Sequence, residues 1–279
     1  MKKQILTSLA LAGIASFASA QTVSETFNYT AGGIGTTATT GTGLTGNWAA
    51  GHTNGATFTG GAAGAFVAGT IPAPTGYLPA STNNQLQLNN GAAYAQLATP
   101  IASNVNQTFY TSFLLDLSAD GLLSGSFFNV GFAAIDGADN TDFLNFGKSS
   151  TGSANFGSTY GGGFLAGSVV IDAAKNYLVV MKVDFVVAGD DSLSIKIFES
   201  TDTVSGTETI AWDQVRTGAF ADTVSLTALG FRAGSAQTME VDQIRIGDTW
   251  GSVVIPEPSS YALLGGFLAL GWVMVRRRR

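Results

Sequence analysis

NYLVVMKVDFVV (residues 176–187), Gly189-Asp190-Asp191 and SLSIKIF (residues 192–198) settle the fold class. The first run is apolar and rich in β-branched residues, without a helical period. Such a run reads as a central strand buried on both faces. The second run alternates. Leu193, Ile195 and Ile197 face one way, and Ser194, Lys196 and Phe198 face the other. The Gly-Asp-Asp segment between them has turn chemistry, so the two runs form a hairpin.

Working outward, residues 107–117, 126–135, 142–148, 226–232 and 238–246 read as further strands. Phe143 and Phe146 anchor the third of these. In the first half, Phe27 and Tyr29 mark an opening strand, and residues 32–46 are a Gly/Thr-rich loop. Residues 85–88 and 93–97 read as a second hairpin, turning at Asn89-Asn90-Gly91. Short strands separated by turn signals predict an all-β, antiparallel β-sandwich. No internal repeat of roughly 20–50 residues points to a propeller or solenoid.

The two ends of the 279-residue chain differ from its body. Lys2 and Lys3, an apolar run over residues 5–17 and Ala18-Ser19-Ala20 have the layout of a signal peptide, with Gln21 as the first mature residue. At the other end, Pro256-Glu257-Pro258 precedes an apolar run over residues 259–275, and Arg276, Arg277, Arg278 and Arg279 follow it. About 17 residues make roughly 26 Å of helix, near the lower limit for crossing a bilayer. Gly265, Gly266 and Gly271 suit a membrane helix, and Trp272 sits at an interfacial position. Four arginines hold that end on the cytoplasmic side and leave the body across the membrane.

Six of the 13 basic residues lie in residues 1–20 and 259–279, whereas all 19 acidic residues lie in residues 21–258. The body of about 238 residues therefore carries seven basic and 19 acidic side chains, a net charge of −12. Such a surface does not bind nucleic acid through phosphates. With no cysteine, the chain has no thiol catalysis, no cysteine-ligated metal and no disulfide, so a core must stabilise it. His52 is the single histidine, which excludes a multi-histidine metal site.

The C-terminal Pro-Glu-Pro, apolar span and arginine end resemble the PEP-CTERM sorting signal. The resemblance implies processing near Pro256, Glu257 and Pro258 by an exosortase, after signal peptidase has acted. It also implies an association with exopolysaccharide and biofilm. Two prolines keep the motif extended and readable by a protease. The body resembles concanavalin A-like (laminin-G-like) jelly rolls in a second set of residues. These are the opening Glu25-x-Phe27, Leu86-x-Leu88, the closing run from Glu240 to Gly247, and Thr249-Trp250. That resemblance implies first and last strands adjacent in one sheet. The expected domains are a signal peptide (1–20), a β-sandwich (21–254) and a sorting signal with a transmembrane helix (255–279).

Glu240 and Asp242, two apart on a strand, should share a face. Laminarinase-like enzymes of this fold use Glu-x-Asp-x-x-Glu, but the last position here is Arg245. A retaining mechanism needs two carboxyls about 5–5.5 Å apart, so the pair reads as a solvated strand face and no catalytic residue is expected. Asp136, Asp139, Asn140 and Asp142 supply hard oxygen ligands that suit calcium, without EF-hand spacing. Asp190 and Asp191 are a lesser candidate. Trp48, Tyr77, Tyr94, Tyr160, Trp212 and Trp250 are candidate sugar-stacking aromatics. His52 reads as a loop residue, and Gly161-Gly162-Gly163 lacks the helix that a phosphate loop needs.

The expected function is a non-enzymatic, exported protein, held in the membrane by its C-terminus and then placed at the cell surface or outside it, with exopolysaccharide as partner. A calcium-dependent, lectin-like module is the alternative, and a glycoside hydrolase ranks below it. The intact mass of the protein recovered from cells tests the sorting expectation. It should lack residues 1–20 and the segment after the Pro-Glu-Pro. A full-length mass would refute processing at both ends.

Overall fold

The computed structural model describes residues 21–34, 37–39, 41–50, 62–77, 84–117, 125–133, 143–149, 154–160, 163–208, 211–218, 225–234 and 237–254. The expectations on Ala18, Ala20, Pro256, Glu257, Pro258 and Arg276–Arg279 lie outside the described residues. Among the described residues no helix is long and apolar enough to cross a membrane.

In chain order the strands begin with β1 (Gln21–Glu25), β2 (Gly32–Gly33), β3 (Leu44–Ala50), β4 (Ala62–Ala63), β5 (Ala65–Ala68) and β6 (Asn84–Asn89). They continue with β7 (Gly91–Ala102), β8 (Gln107–Leu117), β9 (Phe127–Ala133), β10 (Phe143–Lys148), β11 (Asn155–Tyr160) and β12 (Phe164–Val170). The last are β13 (Tyr177–Phe185), β14 (Asp191–Glu199), β15 (Gln214–Gly218), β16 (Ser225–Gly234) and β17 (Thr238–Gly247), before a short helix, α1 (Trp250–Val254). One sheet runs β15-β14-β13-β8-β17-β6-β5-β2, with β1 also on β17. We call it the front sheet. The back sheet runs β12-β11-β10-β9-β16-β7-β3, with β4 joined to β7 in parallel. The remaining strand pairs are antiparallel, an architecture consistent with a jelly roll.

The β13–β14 hairpin forms as the alternation predicts, with Val179 opposite Ile197 and Met181 opposite Ile195. β13 stops at Phe185 rather than residue 187, because Ala188 takes a φ of 57° and starts the turn early. Burial on both faces of β13 has two sources. Tyr177, Val179, Met181, Val183 and Phe185 face the inter-sheet core. Leu178 and Val180 lie under a second cluster on the outer front face, with Ile71, Tyr77, Trp250, Val253 and Val254.

Two expectations fail for backbone reasons. The opening strand ends at Glu25, because Phe27 adopts a φ of 51°. The segments around Asn90 do not form a hairpin: β6 belongs to the front sheet and β7 to the back. Asn90, at a φ of 48°, turns the chain from one sheet to the other, and asparagine tolerates that left-handed region. β1 does pair with β17, so first and last strands are neighbours as expected.

Phenylalanine fills the core. Phe113 and Phe146 lie 6.0 Å apart, Phe146 stacks on Phe156 at 5.1 Å, and Phe156 meets Tyr177 edge-on at 4.9 Å. Aromatic pairs at such separations add to the area they bury. Phe113→Ala should lower stability by about 3–5 kcal/mol, read as a shift in the denaturant midpoint. The exposed Val215→Ala should change it by less than about 0.5 kcal/mol.

Candidate functional site

The outer face of the back sheet carries a groove among the described residues. Strands β9, β10 and β11 each hold Asn, then an apolar residue, then Gly: Asn129-Val130-Gly131, Asn145-Phe146-Gly147 and Asn155-Phe156-Gly157. Alternation sends Val130, Phe146 and Phe156 into the core and leaves the asparagines and glycines outside. The register interleaves them. Asn129 pairs with Gly147 and Gly147 with Gly157, while Gly131 pairs with Asn145 and Asn145 with Thr159. Between β9 and β10 each asparagine therefore stands beside a bare glycine. A Cβ at Gly131 would collide with the Asn145 side chain, and one at Gly157 with the ring of Phe164. Glycine there lets a neighbouring side chain lie flat against the sheet.

The result is a groove of about 340 Å³, lined by Phe127, Asn129, Asn145, Thr159, Phe164 and Arg232, while Lys148 stands opposite Phe128 on the core-facing side of β10. That volume suits a small ligand or one or two units of a polymer. The Arg232 guanidinium carbon lies 4.6 Å from the centre of the Phe127 ring, a cation–π distance. Lys148 is 4% exposed. Its Nζ donates to the Ser126 carbonyl at 2.7 Å and the Ser149 carbonyl at 3.3 Å. Burial lowers the pKa of both Lys148 and Arg232. Amide groups for sugar hydroxyls and two half-buried rings equip this surface for a polyhydroxylated ligand.

The front sheet separates the two acids expected to share a face. Glu240 is half-buried, and its Oε1 accepts from Gln87 Nε2 at 2.6 Å while its Oε2 accepts from Gln85 Nε2. Across the β17–β8 ladder its neighbour is Asp116, whose pKa is raised by burial and by the Glu240 charge. Asp242 follows a different course. A bulge between Asp242 and Arg245, with Gln243 at a φ of 55°, breaks the alternation. Asp242 is fully buried; its Oδ1 accepts from Gln243 N at 2.8 Å, and its Oδ2 has no partner. A substrate has no path to it. The acid opposite Glu240 is thus Asp116, which sequence spacing cannot reveal because it comes from another strand.

Most aromatic candidates are structural. Trp48 is wholly buried and donates to Tyr29 Oη at 3.0 Å. Tyr77 is buried, with its hydroxyl 3.0 Å from Ser112 Oγ and donating to the Gln243 carbonyl at 3.1 Å. Trp250 donates to the Ser205 carbonyl, and Trp212 packs edge-on against it at 6.0 Å. Tyr94 is half-buried in β7, in the row that continues through Gly230 and Gly131 to Asn145. The Tyr160 side chain, His52, Gly161 and Gly162 lie outside the description, as do the calcium candidates Asp136, Asp139, Asn140 and Asp142. Asp191 is buried and braces its turn, its Oδ1 accepting from Val186 N at 2.6 Å. Among the described residues no three His, Cys, Asp or Glu side chains gather as a metal site.

The sequence reading missed the groove residues. Their signal was present as the Asn-x-Gly triplet on three successive strands.

No protein-family model and no curated protein matches the chain. Solved structures similar to it include a botulinum neurotoxin serotype D binding domain, with a TM-score of 0.47 and 11% identity over 82% of this chain and 48% of that one. The chain thus spans about half the length of that structure. A lectin from Bauhinia forficata in complex with GalNAc gives 0.40 and 12% identity, over 67% of this chain and 99% of that one. A GH131 β-glucanase catalytic domain from Podospora anserina gives 0.43 and 14%, over 70% and 82%. Likenesses this distant carry no argument about function.

Burial pushes the Asp242 carboxyl up to about 7; the Gln243 N–H opposes this, and the Glu25 charge adds to it. The buried Glu25 is raised in the same direction, also chiefly by burial. The folded state therefore keeps protons that the unfolded chain releases from about pH 4 upward. Stability should fall as pH rises from about 4 to 7 and then level off, with Asp242 accounting for up to about 4 kcal/mol. Asp242→Asn should flatten most of that slope in urea titrations between those limits and stabilise the protein at neutral pH. An unchanged slope would refute this assignment.

Proposed function

We propose that the chain is an exported cell-surface or matrix protein, sorted through its PEP-CTERM tail by an exosortase, whose body holds exopolysaccharide in the back-sheet groove without cleaving it. The groove carries the binding half of this reading: Asn129, Asn145 and Thr159 stand between the rings of Phe127 and Phe164. Carboxamides exchange hydrogen bonds with hydroxyls in either direction, and rings pack on the apolar faces of sugars. Pro256-Glu257-Pro258, the apolar span and the four arginines support the sorting half.

A second reading, glycan cleavage, is favoured by Asp116 standing opposite Glu240. It requires an acid and a base on the outer front face rather than a groove on the back. In the calcium-dependent alternative, Asp136, Asp139, Asn140 and Asp142 would act from the connection between β9 and β10, the strands that supply Asn129 and Asn145.

Co-sedimentation of the full chain with isolated exopolysaccharide separates these readings. Asn129→Ala and Asn145→Ala should each weaken binding by about tenfold, whereas Glu240→Gln should leave it unchanged. New reducing ends that disappear in Glu240→Gln would establish cleavage instead. Binding lost on chelation and restored by calcium would support the lectin-like form.

A further inference from the structure

We propose that the groove is the middle of a longer trough, which crosses the strands from Phe164 to Tyr94 and takes an internal stretch of a linear polysaccharide several units long. This rests on the carbohydrate reading of the same groove and adds the form of its ligand: an extended chain rather than a chain end or a single sugar.

The register of the back sheet lays out this trough. On the outer face one row runs through Phe164 on β12, Thr159 on β11, Asn145 on β10, Gly131 on β9, Gly230 on β16 and Tyr94 on β7, with no bulge between them. An aromatic residue stands at each end, with a hydroxyl, an amide and bare backbone between. The row beside it has Arg232 and Asn129 as its polar side chains, among Ala92, Gly147, Gly157 and Ala166. At about 4.8 Å per strand, Tyr94 and Phe164 stand roughly 24 Å apart. A sugar unit in an extended chain advances by about one strand spacing, so the row has room for about five units. β12 is the last strand of its sheet, and beyond Tyr94 the row continues with Ala49 on β3. Among the described residues the trough thus leads out at both ends, as a polymer passing through it requires.

Gly230 is the decisive residue. Gly131 and Gly157 are glycines for a visible reason, since a side chain at either would strike Asn145 or Phe164. Gly230 has no such reason. Its φ is not positive, and its pairings with Tyr94 and Gly131 are regular. A Cβ there would meet nothing nearer than the Gly131 carbonyl oxygen, 4.0 Å away. Glycine inside a strand weakens it; where no bulge or bend calls for it, it marks the close approach of a ligand or another backbone. No described backbone crowds Gly230, so the open space over it is left to a ligand. That space adjoins the half-buried Tyr94 and lies outside the lining of the 340 Å³ groove. Tyr94 there supplies a further ring for the apolar face of a sugar.

The test is isothermal titration of the full chain, in detergent, with size-fractionated oligosaccharides cut from the isolated exopolysaccharide, from disaccharide to octasaccharide. Affinity should rise with length by about ten- to a hundredfold and level off near the pentasaccharide. Tyr94→Ala and Gly230→Val should each remove most of that rise. Gly230→Val should also melt no lower than the parent protein, because a β-branched residue suits a strand. Affinity that is independent of length, yet lost in Asn145→Ala, would overturn the inference and leave the carbohydrate reading standing. A rise with length that survives both substitutions would place the extension elsewhere and overturn it too. A lower melting temperature in Gly230→Val would give that glycine a structural role and likewise overturn it. Binding to none of the oligosaccharides would overturn the carbohydrate reading along with it.

Discussion

The bulge at Asp242–Gln243 is the constraint on which the front sheet depends. Strand β17 lies against β8 along one edge. Along the other it pairs first with β6, through Thr238–Val241, and then with β1, through Ile244–Gly247. The bulge falls where β17 changes partner on that edge, between Val241 and Ile244, and its extra residue turns the strand there. Buried polarity gathers around this break. Asp242 is sealed there, the Tyr77 hydroxyl reaches the Gln243 carbonyl, and Glu25 at the end of β1 is held by the Phe27 amide and the Tyr29 hydroxyl. These contacts tie the chain's opening, its closing strand and the segment from Ile71 to Tyr77 into one unit. Buried groups of this kind fix one arrangement at a cost in stability, which a disulfide-free protein meets with its phenylalanine core.

The same closing segment explains why the two outer faces differ. After β17, α1 folds back over the front sheet and buries Trp250, Val253 and Val254 against Tyr110, Leu114, Leu178 and Val180. Much of the front face thereby becomes interior. Among the described residues no such helix covers the centre of the back sheet, where asparagine, threonine and glycine stand with Phe127, Phe164 and Arg232. Leaving that surface open requires polar groups and flatness rather than hydrophobic area. Those properties also suit a sugar chain, so covered front and open back are two consequences of one path of the chain.

Much of the sandwich was legible in its alternation. β8, β10, β14 and β17 fall where period two placed them, because an inward apolar residue at every second position has no other stable home. What stayed hidden depended on single backbone angles or on pairing between distant strands. Nothing in Asn89-Asn90-Gly91 distinguishes a hairpin from a crossing between sheets, since both need a residue at positive φ. Spacing alone put Glu240 and Asp242 on one face, and one bulge removed Asp242 from it. The groove draws on β9, β10, β11, β12 and β16, so only register could assemble Asn129, Asn145, Thr159, Phe164 and Arg232. The repeated Asn-x-Gly was readable as a pattern, but its meaning appears only once the three strands lie side by side.

The location of the bound sugar tests the account most directly. Titrating an isotopically labelled protein with oligosaccharides cut from the isolated exopolysaccharide, and following backbone amide shifts by NMR, would report it residue by residue. The account predicts saturable shifts centred on Asn129, Asn145, Thr159 and Arg232, with the amides of Asp116, Gln87 and Glu240 unmoved. Shifts centred on those front-sheet residues, with the back sheet silent, would contradict it.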